Sequence, residues 1–314
     1  MQPGHAQLDP RVGGAGDRGH RHQPCPWRLA TRCGLSCGAG ARGCPCHQWR
    51  RHDPRRRPGG PPPAGYSGRP ERGDRPVVLL NALWQKNPPE WAALLNRCAI
   101  VALRDSQSAA ELTDAGFTQA RVLPDLSLCG PLANPRSPRR GEIVGDSVRL
   151  DARQVLARVA QARGARYVPT KTLPGTLPGR IWRLPGLSSA LWRVYNGTFR
   201  GPVPAFDMAP DEAAYLTALQ GATGHITGRF HGICLSMVAQ TPFLAMASTT
   251  SKIQTLLVDA GLGPDRLRTK AALDANPTEA IPPFTEAEVA AIARFRTRAN
   301  DEAAQLFQDI RALL

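Results

Sequence analysis

The chain has 314 residues, 42% of them hydrophobic, which suffices for a globular core and excludes a wholly disordered protein. The formal net charge of +15 is unevenly spread, because residues 1–75 hold 14 arginines, no lysine and 5 acidic residues and so carry +9. No run approaches the roughly 20 apolar residues that a membrane span needs, and the N-terminus lacks the apolar segment of a signal peptide. A cytoplasmic protein is therefore expected.

Residues 1–75 differ in composition from the rest of the chain. They hold 14 of the 30 glycines and 11 of the 30 prolines but no isoleucine or phenylalanine, so they cannot bury enough apolar surface to offset the entropy of ordering. We predict a disordered segment, with the composition that a GC-rich gene gives when it is translated out of frame. Its arginines alternatively indicate nucleic-acid binding. A zinc site is the weaker alternative to a compositional accident, with the ligands Cys33, Cys37, Cys44, Cys46 and His47.

The ordered chain is predicted to begin at Pro76 with alternating strands and helices, in a partial first domain over 76–138. Short apolar runs predict strands at 77–81, 99–103 and 121–125, with helices at 89–96 and after residue 108. The second helix is expected to open with a Ser108-x-x-Glu111 capping box and to end at Gly116.

A linker at 131–141 leads into a second domain, predicted over 139–283. Strands are expected at 142–148, 166–168, 224–227 and 243–247, and helices at 151–163, 210–220, 230–239 and 251–260. Residues 284–314 are predicted to form a C-terminal helix that begins at a Thr285-x-x-Glu288 capping box.

The alternation of short apolar strands with helices is typical of parallel sheets covered by helices on both faces. The sequence therefore predicts an α/β protein of two Rossmann-like domains, with ligands bound beyond the carboxyl ends of the strands. The first domain is expected to be incomplete, because 76–138 is about half as long as the second domain.

The segment "HITGRFHGICLS", residues 225–236, places an arginine and a histidine among glycines at a predicted strand-to-helix junction. Unpaired N–H groups and the helix dipole make a helix N-terminus favourable for anions. Arg229 adds a guanidinium that fits a carboxylate or phosphate, and His231 can exchange a proton near neutral pH. We predict that the pair binds an anion and moves a proton. The alternatives are an ion pair for Arg229 and a packing or capping role for His231.

A second junction of the same kind follows the strand at 243–247. Its hydroxyl groups and one ammonium group at a predicted helix start form a candidate anion cradle, for which simple helix capping is the alternative. The residues of this cradle are Ser248, Thr249, Thr250, Ser251 and Lys252.

Two polar residues follow strands of the first domain. Arg104 comes directly after the strand at 99–103 and is predicted either to bind the same anion or to pair with a nearby acid. Asp125 is expected to orient a sugar hydroxyl or to cap the next turn. The stretch 178–200 mixes aromatic residues and arginines, which suits an anionic glycan or a peripheral membrane contact; a packed insertion is the alternative.

The stretch "TGRFHGICLSMVAQTPFLAMASTTSKIQTLLVDAGL", residues 227–262, resembles the signature of the polysaccharide pyruvyl transferase family. "VVLLNALWQ", "VALRDSQSAAEL" and "VLPDLSL" resemble first-domain stretches of that family in the same order, so the resemblance covers roughly 77–262. The family's arginine–hydrophobic–histidine triplet falls on Arg229, Phe230 and His231, and its first-domain arginine falls on Arg104.

The resemblance implies a GT-B-like fold and a transferase of polysaccharide biosynthesis, for example of an exopolysaccharide. It implies phosphoenolpyruvate as donor, a glycan or lipid-linked saccharide as acceptor, and a pyruvate ketal as product. His231 is then the catalytic residue, and Arg104, Arg229, Phe230 and the 248–252 cradle bind substrate. No metal or cofactor is expected.

Two further functions stay open at this point. A nucleotide-sugar glycosyltransferase of GT-B type would need an acid late in the second domain to bind a ribose, for which Asp259 and Asp265 are the candidates. The second possibility is an inactive family member, whose incomplete first domain prevents catalysis.

Overall fold

The structure, a computed structural model, describes residues 76–130, 138–170, 204–209, 211–247 and 251–313, together with residues 187 and 190. The predictions for residues 1–75, for most of the linker at 131–141, for nearly all of 178–200 and for Ser248, Thr249 and Thr250 lie outside these described residues.

The first unit contains a three-stranded parallel sheet in the order β1-β2-β3. Its strands are β1 (Val78–Ala82), β2 (Ile100–Leu103) and β3 (Arg121–Val122). A 3₁₀ turn at Pro89–Trp91 continues into helix α1 (Ala92–Leu95), and α2 (Ser106–Asp114) follows β2. Buried apolar residues pack these helices on the sheet, among them Trp84, Leu95, Leu103, Leu112 and Phe117.

The start of α2 differs from the prediction. Asp105, not Ser108, is the N-cap, and its carboxylate accepts the Ser108 amide N–H at 2.7 Å. Ser108 therefore lies inside the helix, and the predicted capping box is wrong. Gly116 has a φ of +89°, the left-handed conformation that glycine adopts at little cost beyond a helix end.

The second unit contains a five-stranded parallel sheet in the order β5-β4-β6-β7-β8. Its strands are β4 (Glu142–Val144), β5 (Arg166–Tyr167), β6 (Gly224–Thr227), β7 (Phe243–Met246) and β8 (Leu267–Arg268). Its helices are α3 (Leu150–Ala162), α4 (Glu212–Gln220), α5 (Phe230–Ala239), α6 (Lys252–Asp259) and α7 (Lys270–Ala275). Asp151, the first residue of the helix predicted at 151–163, lies within α3, whose N-cap is Arg149.

Both faces of this sheet are covered by helices. Ile226 and Leu244 pack against α3, while their neighbours Phe243 and Ala245 pack against α5 and α6. Successive residues of a strand point to opposite faces, so the fully buried strands β6 and β7 need a helix layer on each side. The predicted α/β class with parallel sheets is confirmed.

The long C-terminal helix α8 (Glu286–Ala312) joins the two units. It begins with the predicted capping box, in which Thr285 and Glu288 each bond the backbone N–H of the other. Ile292, Phe295 and Ala299 pack against the second unit, whereas Ala303 and Leu306 pack against β2 of the first. Within the described ranges, none of the helices is both long and apolar enough to cross a membrane.

Candidate functional site

Strand β6 and helix α5 meet where the sequence predicted the junction. Gly228 makes the turn, because a Cβ there would lie 2.9 Å from Met246 Cε and 3.0 Å from the Ser147 side chain. Thr227 Oγ1 accepts the Arg229 amide at 3.2 Å. Helix α5 therefore begins at the carboxyl-end edge of the parallel sheet, where ligands of such sheets bind.

The guanidinium of Arg229 pairs with Asp146, a residue that follows β4. Arg229 Nε and Nη2 donate to Asp146 Oδ2 at 2.9 and 2.5 Å, and the amide and hydroxyl of Thr170 donate to Oδ1. The carboxylate is fully buried and its pairing satisfies both oxygens. The structure thus has the ion pair that was the alternative for Arg229, and donor binding by Arg229 stays a prediction. Sequence analysis missed Asp146 because it lay inside a predicted strand.

His231 faces Asp125 of the first unit. Its Nε2 lies 3.6 Å from Asp125 Oδ2; the imidazole is 54% exposed and the carboxyl only 2%. Asp125 Oδ1 accepts the Ser127 amide at 2.9 Å and caps the turn Leu126–Leu128, as one of its two predicted roles required. Asp125 Oδ2 has no hydrogen-bond partner among the described residues. Burial alone raises the pKa of Asp125, but His231 and Ser127 hold it well below its usual range.

Arg104 reaches the same place from β2. Its guanidinium carbon lies 4.5 Å from the centre of the Phe230 ring, and that ring meets His231 edge-on at 5.7 Å. The Asp105 carboxylate is 3.9 Å from Arg104 Nε, too far for a hydrogen bond, and within the described chain this buried nitrogen has no acceptor. Burial raises the pKa of Asp105, and the Ser108 hydrogen bonds and the Arg104 charge only partly offset this effect. Arg104, Phe230, His231 and Asp125 therefore come together at the N-terminus of α5.

The described part of the second cradle contacts the first unit instead. Ser251 Oγ donates to Gln107 Oε1 at 2.6 Å and accepts from Gln85 Nε2 at 2.9 Å. Ser251 makes no side-chain cap for α6, which begins at Lys252. Ser251 and Lys252 line a narrow crevice together with Asp105, the residue that follows Arg104. Their predicted substrate contacts remain a prediction.

The other histidine of the segment is a buried structural residue. Ser236 Oγ donates to the Gly232 carbonyl at 2.8 Å, so it accepts from His225 Nδ1 at 2.7 Å, and His225 Nε2 accepts from the Tyr215 hydroxyl at 3.2 Å. Burial lowers the pKa of His225 to about 3 and keeps the ring neutral. Gly145 makes room for it, since a Cβ there would lie 2.9 Å from His225 Nε2.

Asp259, a candidate ribose ligand of the second unit, accepts hydrogen bonds from the first unit. Its two carboxylate oxygens accept the Ser106 amide at 3.0 Å and the Ser106 hydroxyl at 2.5 Å, at the start of α2. This pairing gives the glycosyltransferase alternative no support from Asp259.

Comparisons with known proteins identify one family. The model of a family described as polysaccharide pyruvyl transferase matches residues 68–250, more than half of the chain. Curated proteins gave no match.

Several solved structures are similar in part. The calicheamicin glycosyltransferase CalG4 is 13% identical over 77% of this chain and 68% of that chain, with a TM-score of 0.41. Trehalose-6-phosphate synthase OtsA is 12% identical over 77% of this chain and 68% of that chain, with a TM-score of 0.42. The structure of accessory secretory proteins 1, 2 and 3 of Streptococcus pneumoniae is 9% identical over 76% of this chain and 48% of that chain, with a TM-score of 0.44.

Proposed function

The chain belongs to the polysaccharide pyruvyl transferase family, and from that membership we propose that it moves a pyruvyl group from phosphoenolpyruvate to two hydroxyls of a saccharide. One observation carries the proposal. Arg104, with no acceptor for its Nε in the described chain, stacks on Phe230 next to the half-exposed imidazole of His231. A doubly charged donor that must gain a proton requires a cation and a proton-transfer group side by side.

The donor carries a carboxylate and a phosphate. Arg104 supplies a planar guanidinium held by the Phe230 ring, a contact worth about 0.5–2 kcal/mol. The first N–H groups of α5 have no partner within the helix and favour an anion. Arg229, a quarter exposed, adds positive charge while its fork remains on Asp146.

The protons balance with a single histidine. Protonated His231 gives its proton to C3 of the donor, and the first acceptor hydroxyl bonds to C2 and returns a proton to His231. The bond from C2 to the phosphate oxygen then breaks, the second hydroxyl bonds to C2, and its proton leaves with phosphate. The products are a cyclic ketal and inorganic phosphate, and this scheme needs no metal or cofactor.

The acceptor in this proposal is a glycan or a lipid-linked saccharide, such as the precursor of an exopolysaccharide. We also propose that the reaction takes place in the cytoplasm.

The test is to incubate the full chain with phosphoenolpyruvate and a panel of saccharides that includes p-nitrophenyl β-galactoside and a lipid-linked galactoside. We expect phosphate release that depends on the acceptor, and an acceptor that gains the mass of pyruvate less water. The matched control is Asp114→Asn, a change at an exposed carboxylate of α2, which should keep full turnover. Failure to release phosphate with every saccharide, or hexose transfer from a nucleotide sugar instead, would overturn the proposal.

A further inference from the structure

We propose that Asp125 is a positioning residue for His231: it fixes the neutral imidazole with its proton on Nε2, so that Nδ1 is the nitrogen that exchanges a proton with substrate. This inference rests on the proposed function and extends it by naming the reactive atom and the residue that selects it.

The first support is the unused oxygen of Asp125. Its Oδ1 accepts the Ser127 amide, while Oδ2 is buried without a hydrogen-bond partner in the described chain. A buried carboxylate oxygen that lacks a donor is costly, and such groups call for a physical reason. The nitrogen that it faces at 3.6 Å, His231 Nε2, is that reason.

The second support is the chemistry of the pair. An ionised carboxylate can only accept hydrogen bonds, so a nitrogen that faces it is favoured in the protonated form. The contact of 3.6 Å is longer than a hydrogen bond, and contacts of catalytic groups commonly shorten when substrate binds. Nδ1 of the half-exposed ring is then left with a lone pair for substrate.

The third support is that the two residues belong to different units of the fold. Asp125 follows β3 of the first unit, whereas His231 lies in the first turn of α5 in the second unit. The turn Leu126–Leu128 beside Asp125 packs on α5 through Leu128, in the core that contains Phe230 and Ile233. The tautomer of His231 is therefore set only when the two units are packed together.

The step assigned to the pair conserves protons. In the protonated state both ring nitrogens carry hydrogen; Nε2 donates to Asp125 and Nδ1 gives its proton to C3 of the donor. The acceptor hydroxyl that bonds to C2 then returns a proton to Nδ1, and the Nε2 proton never leaves the pair.

The test reads the tautomer directly, by ¹⁵N chemical shifts of the full chain labelled at histidine. We expect His231 of the wild type to be predominantly the Nε2–H tautomer when neutral, and Asp125→Asn to shift it towards the Nδ1–H tautomer, because the asparagine NH2 in place of Oδ2 donates to Nε2. The amide of asparagine keeps the shape and can still accept the Ser127 N–H, so this variant is expected to fold. Its kcat should fall about 10- to 100-fold, part of what acid–base catalysis contributes, with an unchanged KM for phosphoenolpyruvate.

The His231 signal is assigned by its loss in His231→Gln. His225 serves as the internal reference, because Ser236 and Tyr215 fix it as the opposite, Nδ1–H tautomer in both proteins. A wild type in which His231 is mainly Nδ1–H, or a tautomer ratio equal in wild type and Asp125→Asn, would overturn the inference. The tautomer is measured without turnover. The NMR experiment therefore tests the role of Asp125 separately from the phosphate assay, which tests the proposed function.

Discussion

His225 and His231 belong to the same short strand-to-helix segment, yet their surroundings are opposite. His225 is fully buried and both of its nitrogens have neutral hydrogen-bond partners, Tyr215 and Ser236. His231 is half exposed and meets a buried carboxylate at a distance longer than a hydrogen bond. A histidine with every hydrogen bond satisfied acts as packing, whereas one beside unsatisfied polar atoms can respond to a ligand.

The two histidines also differ in which unit supplies the groups that surround them. Around His225, residues of the second unit alone complete the network, through Tyr215 and Ser236. Around His231, the facing groups Arg104 and Asp125 come from the first unit, and each keeps a buried polar atom without a partner in the described chain. The site for chemistry is thus expected where the two units meet.

The largest expected effect is on turnover. His231→Gln should lower kcat for phosphate release by about 10²–10⁴-fold, the usual contribution of a positioned acid–base group. The glutamine amide can still donate to Asp125, so the free energy of unfolding should change by no more than about 0.5 kcal/mol. Steady-state kinetics and urea unfolding check the two halves of this prediction, and an active His231→Gln protein would assign the proton transfer elsewhere.

The next effect is on stability and concerns the buried network. Gly145→Ala would place a Cβ 2.7 Å from Thr227 Oγ1 and 2.9 Å from His225 Nε2, an overpacking that we expect to cost about 2–3 kcal/mol. The control is Gly221→Ala, where the nearest atom lies at 3.7 Å and φ is −83°, so its stability should be unchanged or slightly higher. Equal unfolding free energies for the two variants in urea would show that the network tolerates the methyl group.

The smallest effect appears as a pH dependence. The unfolded chain protonates His225 below about pH 6.5, but burial lowers the pKa in the folded chain to about 3. Folded protein therefore loses stability as pH falls from about 6.5 towards 3, with a slope that approaches about 1.4 kcal/mol per pH unit. Urea unfolding between about pH 7.5 and pH 5 should show this slope in wild type and not in His225→Gln. A slope that persists in the variant would have another origin.

Much of the fold could be predicted because apolar runs and glycines mark its boundaries. Strand β6 and helix α5 begin and end at the predicted residues, since Gly228 separates two elements whose residues, apart from His231, are buried. Strand β4 ends at Val144, four residues earlier than predicted, because the chain leaves the sheet there to bring Gly145 and Asp146 to the site. Residue type alone does not show where a strand stops pairing with its parallel neighbour.

The sequence indicated individual residues of the site but not which of them pair with one another. Residue type and position suggested Arg104 and His231, the family resemblance added Phe230, and the fold brings the three together. Two pairings were out of reach, Arg229 with Asp146 and His231 with Asp125, because each joins residues far apart in the chain. Asp146 pairs with the Arg229 guanidinium, whereas Arg104 is the guanidinium whose Nε has no acceptor in the described chain.

The central claim is that a phosphoenolpyruvate site lies where Arg104 meets the N-terminus of α5, and calorimetry of the full chain with that donor tests it most directly. We expect binding to wild type and to the exposed control Arg97→Gln with equal Kd, and binding to Arg104→Gln weaker by about 10- to 100-fold, the value of a charge-assisted hydrogen bond. No heat with wild type, or one Kd for all three proteins, would contradict the account.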